Sequence, residues 1–234
     1  MITGAAPQVL EVVTPGGPAR VHVLRPRTAY GVAVLGHGAG GGLRSVDLTA
    51  AVDALDSAGW ATALVEQPWL VAGRRIAGPP ATLDAAWVPV VRALRAPDGV
   101  LGRVAGPLLL AGRSAGARVA CRTAEALGAV GVLCLSFPLH PPGRPDRLRA
   151  EELALVLDAG RPLLVVQGER DPFGTPDEVR VFVPPERVLP VAGTHTVGRA
   201  AAAAVREAVT AFADALRSAR GPAPRAAEEH PGSD

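Results

Sequence analysis

Lysine and asparagine are absent from this sequence, and all 24 of its basic side chains are arginine. Without a lysine there is no Walker-type phosphate loop, no Schiff base for a pyridoxal cofactor and no Ser-x-x-Lys hydrolase chemistry. Aromatic residues amount to only 3%, too few for platforms on which bases or sugars stack. Neither sign of charge dominates. The 22 acidic residues leave a net charge of +2, and the basic stripe expected of a nucleic-acid or membrane-surface partner is missing. No apolar run reaches membrane-spanning length without an interrupting Arg, Gly or Pro. Residues 1–17 carry neither the basic start nor the apolar centre of a secretory leader. These absences predict a cytoplasmic protein that acts on a small-molecule partner, with no nucleic acid and no membrane.

Cysteine is scarce as well. Cys121 and Cys134 lie inside apolar stretches, as buried thiols do, and not in a metal-like pairing. No pair of His, Cys or carboxylate residues has metal-ligand spacing, so neither a metal nor another cofactor is expected.

What is present is apolar material. The 234 residues are 48% hydrophobic, ample for one packed core. Residues 9–13 and 20–25 alternate in polarity around Pro15-Gly16-Gly17 and predict an N-terminal hairpin. Residues 31–35 form a short continuous apolar run, as does a strand buried on both faces. Further strands are expected at 61–65, 107–111, 130–137, 163–167 and 187–191. Helical spacing appears in 47–59, in 82–95 with a bend expected at Pro89, in 114–127, around 151–157 and in 200–220, where Val205, Val209, Phe212 and Leu216 share a face. Residues 66–80 and 138–149 read as irregular loops. Strand and helix alternate, so the class is α/β with a mostly parallel central sheet flanked by helices. There is no repeat and no insertion long enough for a lid domain. One domain over 1–220 is expected, followed by a disordered tail over 221–234.

Gly112-Arg113-Ser114-Ala115-Gly116 fits G-x-S-x-G and falls between an expected strand and an expected helix, the setting of a nucleophile elbow. Side chains at 112 and 116 would collide with neighbouring backbone there, and the helix start behind Ser114 offers N–H groups to a developing oxyanion. His37-Gly38-Ala39-Gly40-Gly41-Gly42 follows a buried strand. It is the place for the second oxyanion donor, from Ala39 or Gly40, with Ala115 supplying the first. Asp171 follows strand 163–167 and His195 follows strand 187–191, so acid and base come after the serine in the order this fold requires. A serine hydroxyl needs a base, and the base needs an anion to hold its tautomer. The reading is a hydrolase of esters or related acyl bonds, working through an acyl-enzyme with Ser114, Asp171 and His195. His37 reads as a hydrogen-bonded strut of its loop. Trp69, Arg74 and Arg75 on one loop, with His140 and Arg144 on the other, are candidates for the pocket walls. A rival reading is a non-catalytic interaction or scaffold protein that keeps the fold; a weaker one is a small-anion binder using Arg74, Arg75, Arg144 and Arg147.

The segments HGAGGG, AGRR, GRSAGAR, FPLHPPGRPDRLR and VQGERDPFG resemble the small, dienelactone-hydrolase-like α/β-hydrolase proteins of bacteria. These are related to a eukaryotic testis-expressed protein and to a subunit of the NSL histone acetyltransferase complex. The resemblance spans residues 31–197 and implies the α/β-hydrolase fold, with Ser114, Asp171 and His195 at the triad positions. This chain departs from the family in having Gly-Thr-His for Gly-Asp-His near its end, and Ala115-Gly116-Ala117 for Met-Gly-Gly after the serine. An aromatic-rich stretch of the family is also altered at Glu66-Gln67-Pro68-Trp69.

Overall fold

The computed structural model describes residues 7–40 and 42–219; the tail expected at 221–234 lies outside them. A single sheet of eight strands runs through the molecule. Strands β1 (Gln8–Thr14) and β2 (Gly17–Leu24) form the expected antiparallel hairpin. Strand β2 pairs antiparallel with β4 (Trp60–Glu66). From β4 onward, through β3 (Gly31–Gly36), β5 (Leu108–Arg113), β6 (Gly131–Leu135), β7 (Leu163–Gly168) and β8 (Val188–Val191), every pairing is parallel.

The continuous apolar runs are explained by burial on both faces. Alternate residues of β3 enter different cores, Val32 and Val34 on one side, Ala33 and Leu35 on the other. The first core is closed by α3 (Pro80–Arg95), α4 (Ala115–Thr123) and α5 (Ala150–Asp158), through Trp87, Val91, Ala120 and Leu153. The second is closed by α1 (Val46–Ser57) and α7 (Ala202–Ser218). On α7 the buried stripe is Val205, Val209, Ala213 and Leu216; Phe212 is half-buried beside it. Cys121 and Cys134 are buried free thiols 3.4 Å apart, and burial pushes the Cys134 thiol well up. Among the described residues no helix is long and apolar enough to cross a membrane.

Several boundaries differ from expectation for local reasons. Helix α3 continues through Pro89 without a break; the carbonyl that loses a partner to the proline belongs to Ala85, which is exposed. Strand β6 stops at Leu135 because Ser136 turns to φ 50°. The stretch 66–80 is not wholly irregular, since Pro68 opens a one-turn helix, α2 (Pro68–Val71). A further helix, α6 (Pro176–Arg180), is started by a capping box in which Thr175 and Glu178 bond each other's backbone.

Helix α4 crosses β3 and β5 so closely that three glycines meet. A Cβ at residue 112 would lie 2.3 Å from the Gly116 carbonyl carbon, and one at 116 would lie 2.5 Å from that of Gly36. Gly112→Ala is expected to cost about 3 kcal/mol or more, because the obstacle is backbone on both sides. Gly198→Ala, with ordinary backbone angles and open space around it, is the control and should unfold with the parent. Denaturant melts of the two variants check this.

Candidate active site

Ser114 occupies the single residue between β5 and α4. Its backbone sits at φ 53° and ψ −113°, a region that a side-chain-bearing residue enters at a cost of about 1–3 kcal/mol. The strain is held by the close crossing of α4 and by the Ser114 N–H, which donates to the Leu135 carbonyl at 2.9 Å. Ala115 opens α4, so its N–H has no intrahelical acceptor and remains free for another.

His195 lies on the loop after β8 and brings both ring nitrogens into use. Nε2 is 2.8 Å from Ser114 Oγ, and Nδ1 is 2.8 Å from Asp171 Oδ2. The Asp171 side chain is wholly buried. Its charge is met by donors: the Phe173 N–H reaches Oδ1 at 2.8 Å, and Gln167 Nε2 reaches Oδ2 at 3.0 Å. Gln167, itself fully buried at the end of β7, also donates to the Phe137 and Gly174 carbonyls and accepts from the Phe137 N–H. The amide therefore ties the Asp171 turn to the segment after β6. Phe173 packs on the imidazole with ring centres 4.2 Å apart. The loops that carry Asp171 and His195 touch directly, since a Cβ at Gly168 would lie 2.2 Å from the Thr194 carbonyl oxygen.

The loop after β3 passes over the serine. Gly38 lies against it, a Cβ there being 3.2 Å from Ser114 Cβ, and Gly38 bridges to Gly42. Ala39 and Gly40, between them, are exposed. His37 is buried and acts within the loop: its Nδ1–H donates to the Gly38 carbonyl, and its Nε2 accepts the Gln67 N–H at 3.1 Å. Trp69 packs on its ring at 5.2 Å. Burial holds the His37 imidazole below its ordinary pKa, against the opposing pull of the Gly38 carbonyl and Glu66.

The remaining candidates are dispersed. His140 is buried on the loop after β6. Its Nδ1–H donates to the Pro141 carbonyl, its Nε2 faces Glu178 at 3.3 Å, and its N–H donates to the Phe173 carbonyl. It therefore braces the segment that carries Phe173. The Thr175 N–H, then its hydroxyl, keeps the Glu178 carboxyl low. Arg74 lines a separate recess with Gly16, Pro68, Trp69 and Ile76, in which Ser114 has no part. Arg75 and Arg147 are exposed. Arg144 is half-exposed and faces its neighbour Asp146 at 3.9 Å. Arg113, Asp47, Gln167 and Phe173 are site residues that sequence reasoning missed. The available signal was a polar side chain closing an otherwise apolar strand, in Leu-Leu-Leu-Ala-Gly-Arg and Leu-Leu-Val-Val-Gln-Gly.

The fold and this serine-centred elbow define an α/β-hydrolase. The chain belongs to that family, whose alpha/beta hydrolase domain model matches residues 30–196. Its fold is similar to that of an α/β serine hydrolase homologue from Coxiella burnetii, at TM-score 0.70 and 20% identity over 87% of this chain and 96% of that one. It is similar to a lid-free serine hydrolase from Xanthomonas campestris, at TM-score 0.66 and 21% identity over 90% and 95% of the two chains. An esterase from Pyrobaculum calidifontis is similar at TM-score 0.61 and 18% identity over 92% and 86%. No curated protein matches the sequence.

The depressed His37 gives a stability signature. Its folded pKa lies below the unfolded value of 6.5, so unfolding takes up a proton. The stability it contributes is complete above the unfolded value and is lost as pH falls through the folded one. Thermal melts across this range are expected to fall less steeply towards acid for His37→Gln, which keeps an acceptor for the Gln67 N–H, than for the parent.

Proposed function

We propose that this protein is a serine hydrolase of esters or related acyl bonds, with Ser114, His195 and Asp171 as its triad. The observation that carries the reading is the chain of two 2.8 Å hydrogen bonds from Ser114 Oγ through His195 to a buried Asp171. Ser114 attacks the carbonyl carbon while His195 Nε2 takes the hydroxyl proton. The oxyanion is held by the N–H groups of Ala115 and of Ala39 or Gly40. Collapse expels the alcohol, which leaves with the proton from Nε2, and water repeats the sequence on the acyl-enzyme. Asp171 fixes the tautomer in which Nδ1 carries hydrogen and Nε2 is free to accept. No metal or cofactor enters these steps. The fold does not choose among ester, thioester and amide substrates. On the Phe137-Pro138-Leu139-His140-Pro141-Pro142-Gly143 segment we further place the chain with the bacterial relatives of the testis-expressed and NSL-complex proteins.

A fluorophosphonate probe tests the reading. It should label the folded protein at one site, and Ser114→Ala should remove the label. Asp171→Asn should keep the fold and slow labelling on the order of 1,000-fold, because the imidazole settles in the wrong tautomer. A folded parent that resists the probe, or a Ser114→Ala variant that still reacts, overturns the proposal.

A further inference from the structure

Arg113, the residue just before Ser114, has a side chain only 7% exposed, and its contacts lie on three other segments. Nε donates to Asp47 Oδ2 at 3.2 Å, in the first turn of α1. Nη2 donates to the His195 carbonyl at 2.6 Å and to Thr196 Oγ1 at 3.3 Å. Nη1 lies under the loop after β3, where a Cβ at Gly38 would come within 2.7 Å of it. Asp47 is as deeply buried as its partner. It accepts the Leu48 N–H at 2.9 Å and has Ser136 Oγ at 3.5 Å. A guanidinium this far from water is retained only where its charge is cancelled and its donors are used.

The loop that carries His195 has few holds of its own. Thr194 and Thr196 are exposed, and of the residues from 192 to 198 only Val197 is buried. The bridge from Gly193 to Val197 closes the loop on itself, and the Arg170 N–H ties Gly193 to the acid's turn. Neither of these holds reaches towards the serine. The charge-assisted bond from Arg113 does, and it starts from the residue covalently joined to Ser114. We propose that Arg113 is a positioning residue: its guanidinium, neutralised by Asp47, sets the backbone of His195 at the distance from which the imidazole reaches Ser114 Oγ. Nucleophile and base are thereby referenced to one rigid group. Asp47 also offsets a positive charge that would otherwise oppose the imidazolium formed during attack.

This inference rests on the triad reading, and its test separates the two. Arg113→Met alone strands a buried carboxylate, so the working variant is Asp47→Asn with Arg113→Met, which leaves no unpaired charge. The measured quantities are the fluorophosphonate labelling rate and the melting temperature. The double variant should melt as a folded protein and label about 100-fold more slowly, the scale of a misplacement of roughly 1 Å. Arg113→Lys, which keeps a cationic donor near the His195 carbonyl, should recover part of that loss. In a His195→Ala background the same pair of changes should leave the residual rate unaltered, because the residue it positions is gone. Parental labelling by the double variant, or an equal loss with and without His195, overturns the positioning role. Failure of Ser114→Ala to abolish labelling would instead strike the hydrolase reading itself.

Discussion

Everything at this site hangs on the contact between α4 and the ends of β3 and β5. A Cβ at Gly112 or Gly116 would meet backbone at 2.3 or 2.5 Å, closer than any real Cβ, and one at Gly36 would sit 3.1 Å from the Gly116 Cα. That approach lets the chain reverse from strand to helix in one residue and leaves Ser114 at φ 53° with its hydroxyl 2.8 Å from His195 Nε2. The conformation is unfavourable by itself. It persists because the two apolar cores on either side of the sheet hold β5 and α4 where they are. The strain at one residue is thus set against burial distributed over the whole domain.

The second constraint is that strands buried on both faces must end in groups able to manage polarity. Three of the parallel strands near the site, β3, β5 and β7, do so at their carboxyl ends. Strand β3 runs into His37, which bridges its own loop to Gln67. Strand β5 ends in Arg113, and β7 places Gln167 one residue before its last. These side chains bond backbone groups of the neighbouring connections, so loops with little apolar anchorage still hold their places. Asp171 accepts from N–H donors, those of Phe173 and Gln167, whereas Arg113 pairs with a carboxylate. The two solutions bring Asp171 to the ring of His195 and Arg113 to its carbonyl. A half-buried cluster, Arg118 and Arg122 with Glu152 and Asp84, joins α4 to α3 and α5 through side-chain ion pairs.

Much of this was legible in the sequence because it is local. Runs of four to six apolar residues bounded by glycine or proline mark the strands, and the order of Ser114, Asp171 and His195 follows from where such runs end. Gly112 and Gly116 announce a close approach before the partner, Gly36, is known. The short helices were harder. Pro68 and the Thr175-Pro176-Asp177-Glu178 box are starting signals, but the helices they open run only four and five residues. No apolar periodicity develops over such lengths.

What was not legible is the meaning of arginine. In a chain without lysine, one residue type supplies every role a cation can have, and its neighbours in sequence do not say which. Arg113 sits beside Ser114 in sequence yet turns inward, because Asp47, 66 residues earlier, waits for it across the sheet end. Arg144 sits in a loop expected to line the pocket, yet it stays at the surface facing Asp146. The difference between them is a buried carboxylate contributed by a distant helix, a long-range fact that no local pattern carries. Buried cations demand such partners and exposed ones do not. The useful signal for a hidden arginine is therefore an apolar strand that ends on it, and Leu108–Arg113 has that form.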